Sequence, residues 1–76
     1  MDSHEKAQRG LALLEEAILE LLKSKSDGLR NIDIAEALDI QSDYQGGNKD
    51  YLSWSVLGLL LNKGKVVRKG RKYFLA

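Results

Sequence analysis

Six cations crowd into the ten residues that end at Lys72: Lys63, Lys65, Arg68, Lys69, Arg71 and Lys72, with no acidic residue among them. Cations at this density can neutralise a row of phosphates, and each contact releases condensed counterions, so binding of that kind depends steeply on salt. Charged residues also guard an exposed strand edge against aggregation. That accounts for one or two of these side chains, not all six. A second group, Gln45, Asn48, Lys49, Tyr51 and Ser55, supplies polar groups of the kind that base edges in a major groove require. Gly47 adds backbone N–H groups at the expected start of a helix, where a phosphate can be held.

Other chemistries have little to work with. His4 is the single histidine, sits near the N-terminus and has no partner at the spacing of a metal site or a catalytic triad; there is no cysteine. Gly46-Gly47 lacks the rest of a phosphate-cradling loop. Glu15 and Glu16 are expected on a solvated helix face. A chain of 76 residues offers little room for a dry pocket. The expectation is a protein that is not an enzyme and uses no metal or cofactor.

The net charge of +1 hides a division. Residues 1–47 carry five Lys or Arg against ten Asp or Glu, a net −5, whereas residues 48–76 carry seven against the single Asp50, a net +6. One end of the molecule is therefore expected to be basic, the footprint of a nucleic-acid binder. The charged N-terminal residues carry no signal-like apolar segment, and the longest apolar run, Val56 to Leu61, is too short to span a bilayer. One domain is expected over residues 1–76, in the cytoplasm and off the membrane.

Three helices and a hairpin must position these residues. Leu11, Leu14, Ile18 and Leu21, widened by Ala17 and Leu22, give an amphipathic helix over about 4–24, capped by Asp2 or Ser3. Asp27-Gly28 marks a turn, and Leu29-Arg30 is short enough for an isolated strand-like bridge. A second helix over 31–39, capped by Asn31 or Asp33, buries Ile34, Ala35 and Leu38. A third runs over 48–63, to a stop at Gly64. Ser53, Leu57, Leu60 and Leu61 share its inner side with Trp54 flanking them, which places the indole in the core. Asn48, Tyr51, Ser55, Gly58 and Asn62 lie opposite, and mid-helix Gly58 implies close approach of another backbone or a partner. Residues 65–75 form a hairpin about a Lys69-Gly70 turn, so that Val66 opposes Tyr73 and shares its face with Leu75, while Arg68 and Arg71 stand at the tip. Tyr73 packs beneath it.

In this order the pieces resemble a known family, the winged helix-turn-helix DNA-binding domains. Asn31 to Ile40, with its Ile-Ala-x-x-Leu spacing, looks like the first helix of a helix-turn-helix. Val56 to Val67 resembles the end of a recognition helix entering a wing, and Arg68 to Leu75 resembles the wing. The likeness runs from Leu11 to Leu75. It departs from the family's pattern in the long connector Gln41 to Gly47 and in an unusually apolar third helix. Tyr44 to Asp50, leading into Tyr51-Leu-Ser-Trp-Ser55, resembles winged modules attached to restriction endonucleases and other DNA-processing proteins.

The resemblance implies an α+β, mainly α fold that binds double-stranded DNA, as a small transcription regulator or as the targeting module of a DNA-processing protein. Gln45, Asn48, Lys49, Tyr51 and Ser55 would serve the third helix and its approach; Lys65, Arg68, Lys69, Arg71 and Lys72 would serve the wing. The competing expectation is a protein-interaction or homodimer-forming domain that uses an apolar strip of Leu52, Val56 and Leu59.

Overall fold

The computed structural model describes residues 2–42 and 50–76. Gln45, Gly47, Asn48 and Lys49, on which part of the expected site falls, lie outside the described residues. The fold is α+β and mainly helical. In chain order come α1 (Ser3–Lys23), β1 (Leu29–Arg30), α2 (Asn31–Ala37), α3 (Tyr51–Asn62), β2 (Val66–Lys69) and β3 (Lys72–Leu75). The strands form one antiparallel sheet in the order β1-β3-β2.

Helix α1 begins where the Asp2 carboxylate accepts the Glu5 N–H at 2.8 Å, satisfying one of the first turn's orphan donors. Its apolar stripe delivers Ile18 and Leu22 into the core, with Leu11, Leu14, Leu19 and Leu21 packed around them. Ile34 enters from α2, Val56, Leu57 and Leu60 from α3, and Val66 and Tyr73 from the hairpin. Each of these side chains contributes about 1.5–3 kcal/mol when fully buried.

Neither cap expected for α2 is the observed one. Arg30 is the N-cap, and Asp33 in the first turn reaches back to accept the Arg30 N–H at 3.1 Å. The helix is also shorter than expected, because Leu38 and Asp39 already belong to its closing turn. Asp39 N–H donates to Glu36 O and Ile40 N–H to Ala35 O, the paired bonds of a Schellman ending. That ending puts Asp39 at φ +55°, where glycine is usual. Helix α3 ends in the same way, through Gly64 N–H to Leu61 O and Lys65 N–H to Leu60 O, and so aims the chain into β2.

The hairpin register differs from the expected one. Val66 pairs with Leu75, Val67 with Phe74, Arg68 with Tyr73 and Lys69 with Lys72, so the two-residue loop is Gly70-Arg71 and not Lys69-Gly70. A type I′ or II′ turn needs positive φ at its first central position. In the expected register that position falls to Lys69; the observed one gives it to Gly70, at φ +63°. The pairing moves by two residues, so the faces do not invert: Val66 and Tyr73 stay inside.

The left-handed conformation at Asp39 is a removable cost. Asp39→Gly is expected to stabilise the fold by about 0.5–1 kcal/mol, net of the entropy that glycine adds to the unfolded chain. In thermal unfolding this is a rise of roughly 3–6 °C; an unchanged or lower midpoint would show that Asp39 earns its place through contacts of its own.

Candidate functional site

Two elements carry the expected site, and β1 decides how they lie. Leu29 pairs with Tyr73 and Arg30 with Lys72, fastening the hairpin to the segment that leads into α2. Gly28 makes this approach possible: it sits at φ +77°, and a Cβ there would lie 2.6 Å from the Phe74 ring. On the other side, a polar pin joins α2 to the start of α3. Asn31 Nδ2 donates to Asp50 O at 3.1 Å, and the fully buried Ser53 hydroxyl donates to Asn31 Oδ1. Asn31 is thus a strut between helices and not the cap of its own.

The outcome is a trough of about 340 Å³ whose lining includes Asp50 and Trp54 from the start of α3, Arg30 and Asn31 from the start of α2, and Arg68, Arg71 and Tyr73 from the hairpin. A second trough of about 480 Å³ continues along α3 past Ser55, Gly58 and Asn62, with Arg68 and Tyr73 on its far side. Trp54 borders both. Its side chain is 55% exposed, against the expectation that it belongs to the core. Tyr51 and Ser55 are also exposed on α3.

The expected cation set divides. Lys63 donates to both carboxylate oxygens of Glu15, at 3.0 and 2.8 Å, tying the end of α3 to α1. Glu15 is accordingly buried and not on a solvated face. Lys65 sits beside Lys63 in a hollow with Glu15 and Glu16, so these two lysines face acids at the base of the hairpin. The rest gather towards the loop. Arg68 lies over the Tyr73 ring, 5.6 Å from its centroid, and its Nε donates to Gly70 O at 2.9 Å. Lys69 lies over the Phe74 ring at 5.8 Å. Lys69 and Lys72 oppose each other directly across the strands, a like-charge pairing that is unfavourable by itself and concentrates positive potential.

Arg30 adds a guarded charge. Its Nε and Nη2 each donate to Asp33 at 3.0 Å, and these hydrogen bonds, ahead of the nearby charges, hold the Asp33 carboxyl below its usual range. A depressed carboxyl contributes stability above its unfolded pKa and loses it as pH falls through the folded one, so this clamp opens only in acid.

Three further expectations are corrected at α3. The helix starts at Tyr51, where Asp50 is buried with its carboxylate accepting the Ser42 N–H at 3.2 Å, and Leu52 N–H donates to Ser42 Oγ. The Ser42 hydroxyl already takes the Leu52 N–H, and the buried Asp50 carboxylate beside it repels an anion, so this terminus is a poor phosphate site. The apolar strip is broken as well: Val56 is buried in the core, leaving Leu52 and Leu59 exposed. Nor, among the described residues, does another backbone approach Gly58, since a Cβ there would meet nothing within 4 Å.

Among the described residues, no cluster of His, Cys, Asp or Glu is arranged to hold a metal ion, and no helix is long and apolar enough to cross a membrane. No family model, curated protein or solved structure matches the chain.

Trp54 is the single tryptophan, so its position can be read directly. The native protein should show the red-shifted emission of hydrated indole and strong acrylamide quenching. A blue-shifted, protected emission that appears only in the folded state would return Trp54 to the core.

Proposed function

We propose that this chain is a winged helix-turn-helix domain that binds double-stranded DNA without covalent chemistry, α3 facing the major groove and the hairpin serving as the wing. The observation that carries the reading is the shared trough: Arg68 and Arg71 of the hairpin border the same depression as Trp54 at the start of α3. Had the cations lain across the molecule from α3, one duplex could not meet both.

Labour divides between the two elements. The segment Tyr51–Asn62 has no charged side chain, so α3 supplies hydroxyl and amide groups from Tyr51, Ser55 and Asn62 and little electrostatic attraction. Attraction comes from Arg68, Lys69, Arg71 and Lys72. Phosphate contacts fix position and supply most of the affinity, while neutral groups on the helix read base edges. Lys63 and Lys65, beside Glu15 and Glu16, contribute least. This assignment suits a small regulator or the targeting module of a larger DNA-processing protein, in the cytoplasm.

A second reading draws on the exposure of Leu52 and Leu59 on α3, at 46% and 38%. There α3 docks on a protein partner or a second copy, and the hairpin charge merely keeps the sheet edge soluble.

Titration of a mixed-sequence duplex at several salt concentrations separates the two. Four phosphate contacts give a slope of log K against log salt of about −3.6. Replacing Arg68 and Arg71 together by Ala should reduce its magnitude by about 1.8, whereas Lys63→Ala should leave it unchanged. A duplex that does not bind at low salt, or a slope near zero, would overturn the DNA reading.

A further inference from the structure

Helix α1 is longer than the core requires. Its 21 residues span about 31 Å, yet contact with the apolar core begins only at Leu11. Residues 2–10 are exposed throughout. A helix end without tertiary packing is marginal in water, and Gly10 weakens it further. On the outer face of α1, turned away from the core, Leu13 is 59% exposed, more than any other large apolar side chain among the described residues.

The charges around Leu13 are ordered. At about 100° per residue, Lys6, Arg9, Glu16 and Glu20 all fall within about 60° of it round the helix. All four are exposed. The two cations precede the leucine and the two acids follow it. Lys6 stands seven residues before Leu13 and Glu20 seven after, while Arg9 stands four before and Glu16 three after. Asp2 and Glu5 beyond the cations, and Lys23 beyond the acids, again carry opposite signs at the two ends.

Within one chain this order does little good. Glu16 and Glu20 are like charges at i, i+4, a spacing that weakens a helix. Among the described residues the ion pairs are Arg30–Asp33 and Lys63–Glu15, so none of the four is engaged. Glu16 borders the hollow of Lys63 and Lys65 without a salt bridge to either. A two-fold axis through Leu13 turns the order to advantage. In an antiparallel pair of α1 helices, Leu13 meets its own copy, Lys6 meets the second copy's Glu20, and Arg9 meets its Glu16. The symmetry then repeats both ion pairs. A parallel pair would instead set each cation against itself, and each acid likewise. The core face of α1 stays on α3 and the hairpin, so the fold need not rearrange.

We propose that this chain self-associates through the outer face of α1, as an antiparallel two-fold dimer centred on Leu13. The same patch serves both copies, as such symmetry demands. One leucine from each copy and a set of exposed ion pairs make a weak contact that salt loosens, with a dissociation constant of roughly 0.1 mM. It does not depend on DNA binding.

Sedimentation equilibrium of the whole chain at about 0.01–1 mM reads the association directly. In low salt the average mass should climb from 8.5 kDa towards twice that value. Salt at about 1 M should move the rise to higher concentration. Leu13→Asp should keep the chain monomeric, with an unfolding midpoint near that of the wild type because the side chain is exposed. Each charge reversal should do the same: Lys6→Glu with Arg9→Glu, and Glu16→Lys with Glu20→Lys. An equal mixture of those two variants should pair again, at least about tenfold more tightly than either alone. The chain has no cysteine, so orientation can be read by cross-linking. Lys6→Cys mixed with Glu20→Cys should form a disulfide on oxidation, whereas Lys6→Cys alone, with its two sulfurs about 20 Å apart, should not. A wild-type chain that stays monomeric across the range would overturn the proposal. So would association that survives Leu13→Asp or both charge reversals, or a mixture no tighter than its parts. Cross-linking of Lys6→Cys to itself would show a parallel pair and contradict the arrangement. Association lost with Leu52→Asp but kept with Leu13→Asp would move the contact to α3, and the proposal falls.

Discussion

Two pairs of residues, Leu29 with Tyr73 and Arg30 with Lys72, decide where the hairpin sits. A two-stranded hairpin is marginal in water by itself, and a third strand together with a helical layer makes it stable. Here the third strand is only two residues long, and it works because Tyr73 is buried against the helices while Gly28 lets the chain pass the Phe74 ring. Everything at the candidate site follows from that attachment. It brings Arg68 and Arg71 alongside the start of α3 and sets the width of the trough that Trp54 borders.

The opposite wall is positioned by polarity buried within an otherwise apolar core. Ser53 lies among Val56, Leu57 and Leu60 with no exposure at all, and a hydroxyl there would be costly without a partner. Asn31 supplies it, and also reaches Asp50 O, so the starts of α2 and α3 are locked to one another. Glu15 and Lys63 do the same at the far end of α3. The electrostatics of the surface are a by-product of these locks. The lysines nearest α1 face its acids, and the cations left around Gly70 form a smaller and more localised patch than a count along the chain implies.

Much of this architecture was legible in the residues. The order of elements, the Leu29-Arg30 bridge, the burial of Tyr73 and most of the core follow from apolar spacing and turn chemistry. Register did not, because a two-residue shift leaves every side chain on its own face, and the apolar pattern is blind to it. The choice rested on Gly70 taking the one backbone conformation that Lys69 would resist. Trp54 was misplaced through the angular centre of α3. Counting Leu61 as core in place of Val56 rotates the buried face towards the indole. With Ser53, Val56, Leu57 and Leu60 inside, Trp54 stands about 110° from their centre. Glu15 and Lys63 are 48 residues apart in sequence, and nothing local announces their pairing.

The central claim is that α3 and the hairpin meet a duplex as one surface. Amide chemical-shift mapping during a duplex titration tests it most directly, since the affected residues are identified one by one. Trp54, Ser55 and Gly58 should shift together with Arg68 to Lys72, along one binding curve, while the outward acids Glu16 and Glu20 of α1 stay still. Shifts confined to the hairpin, or concentrated on α1 with Trp54 and Gly58 unmoved, would contradict it.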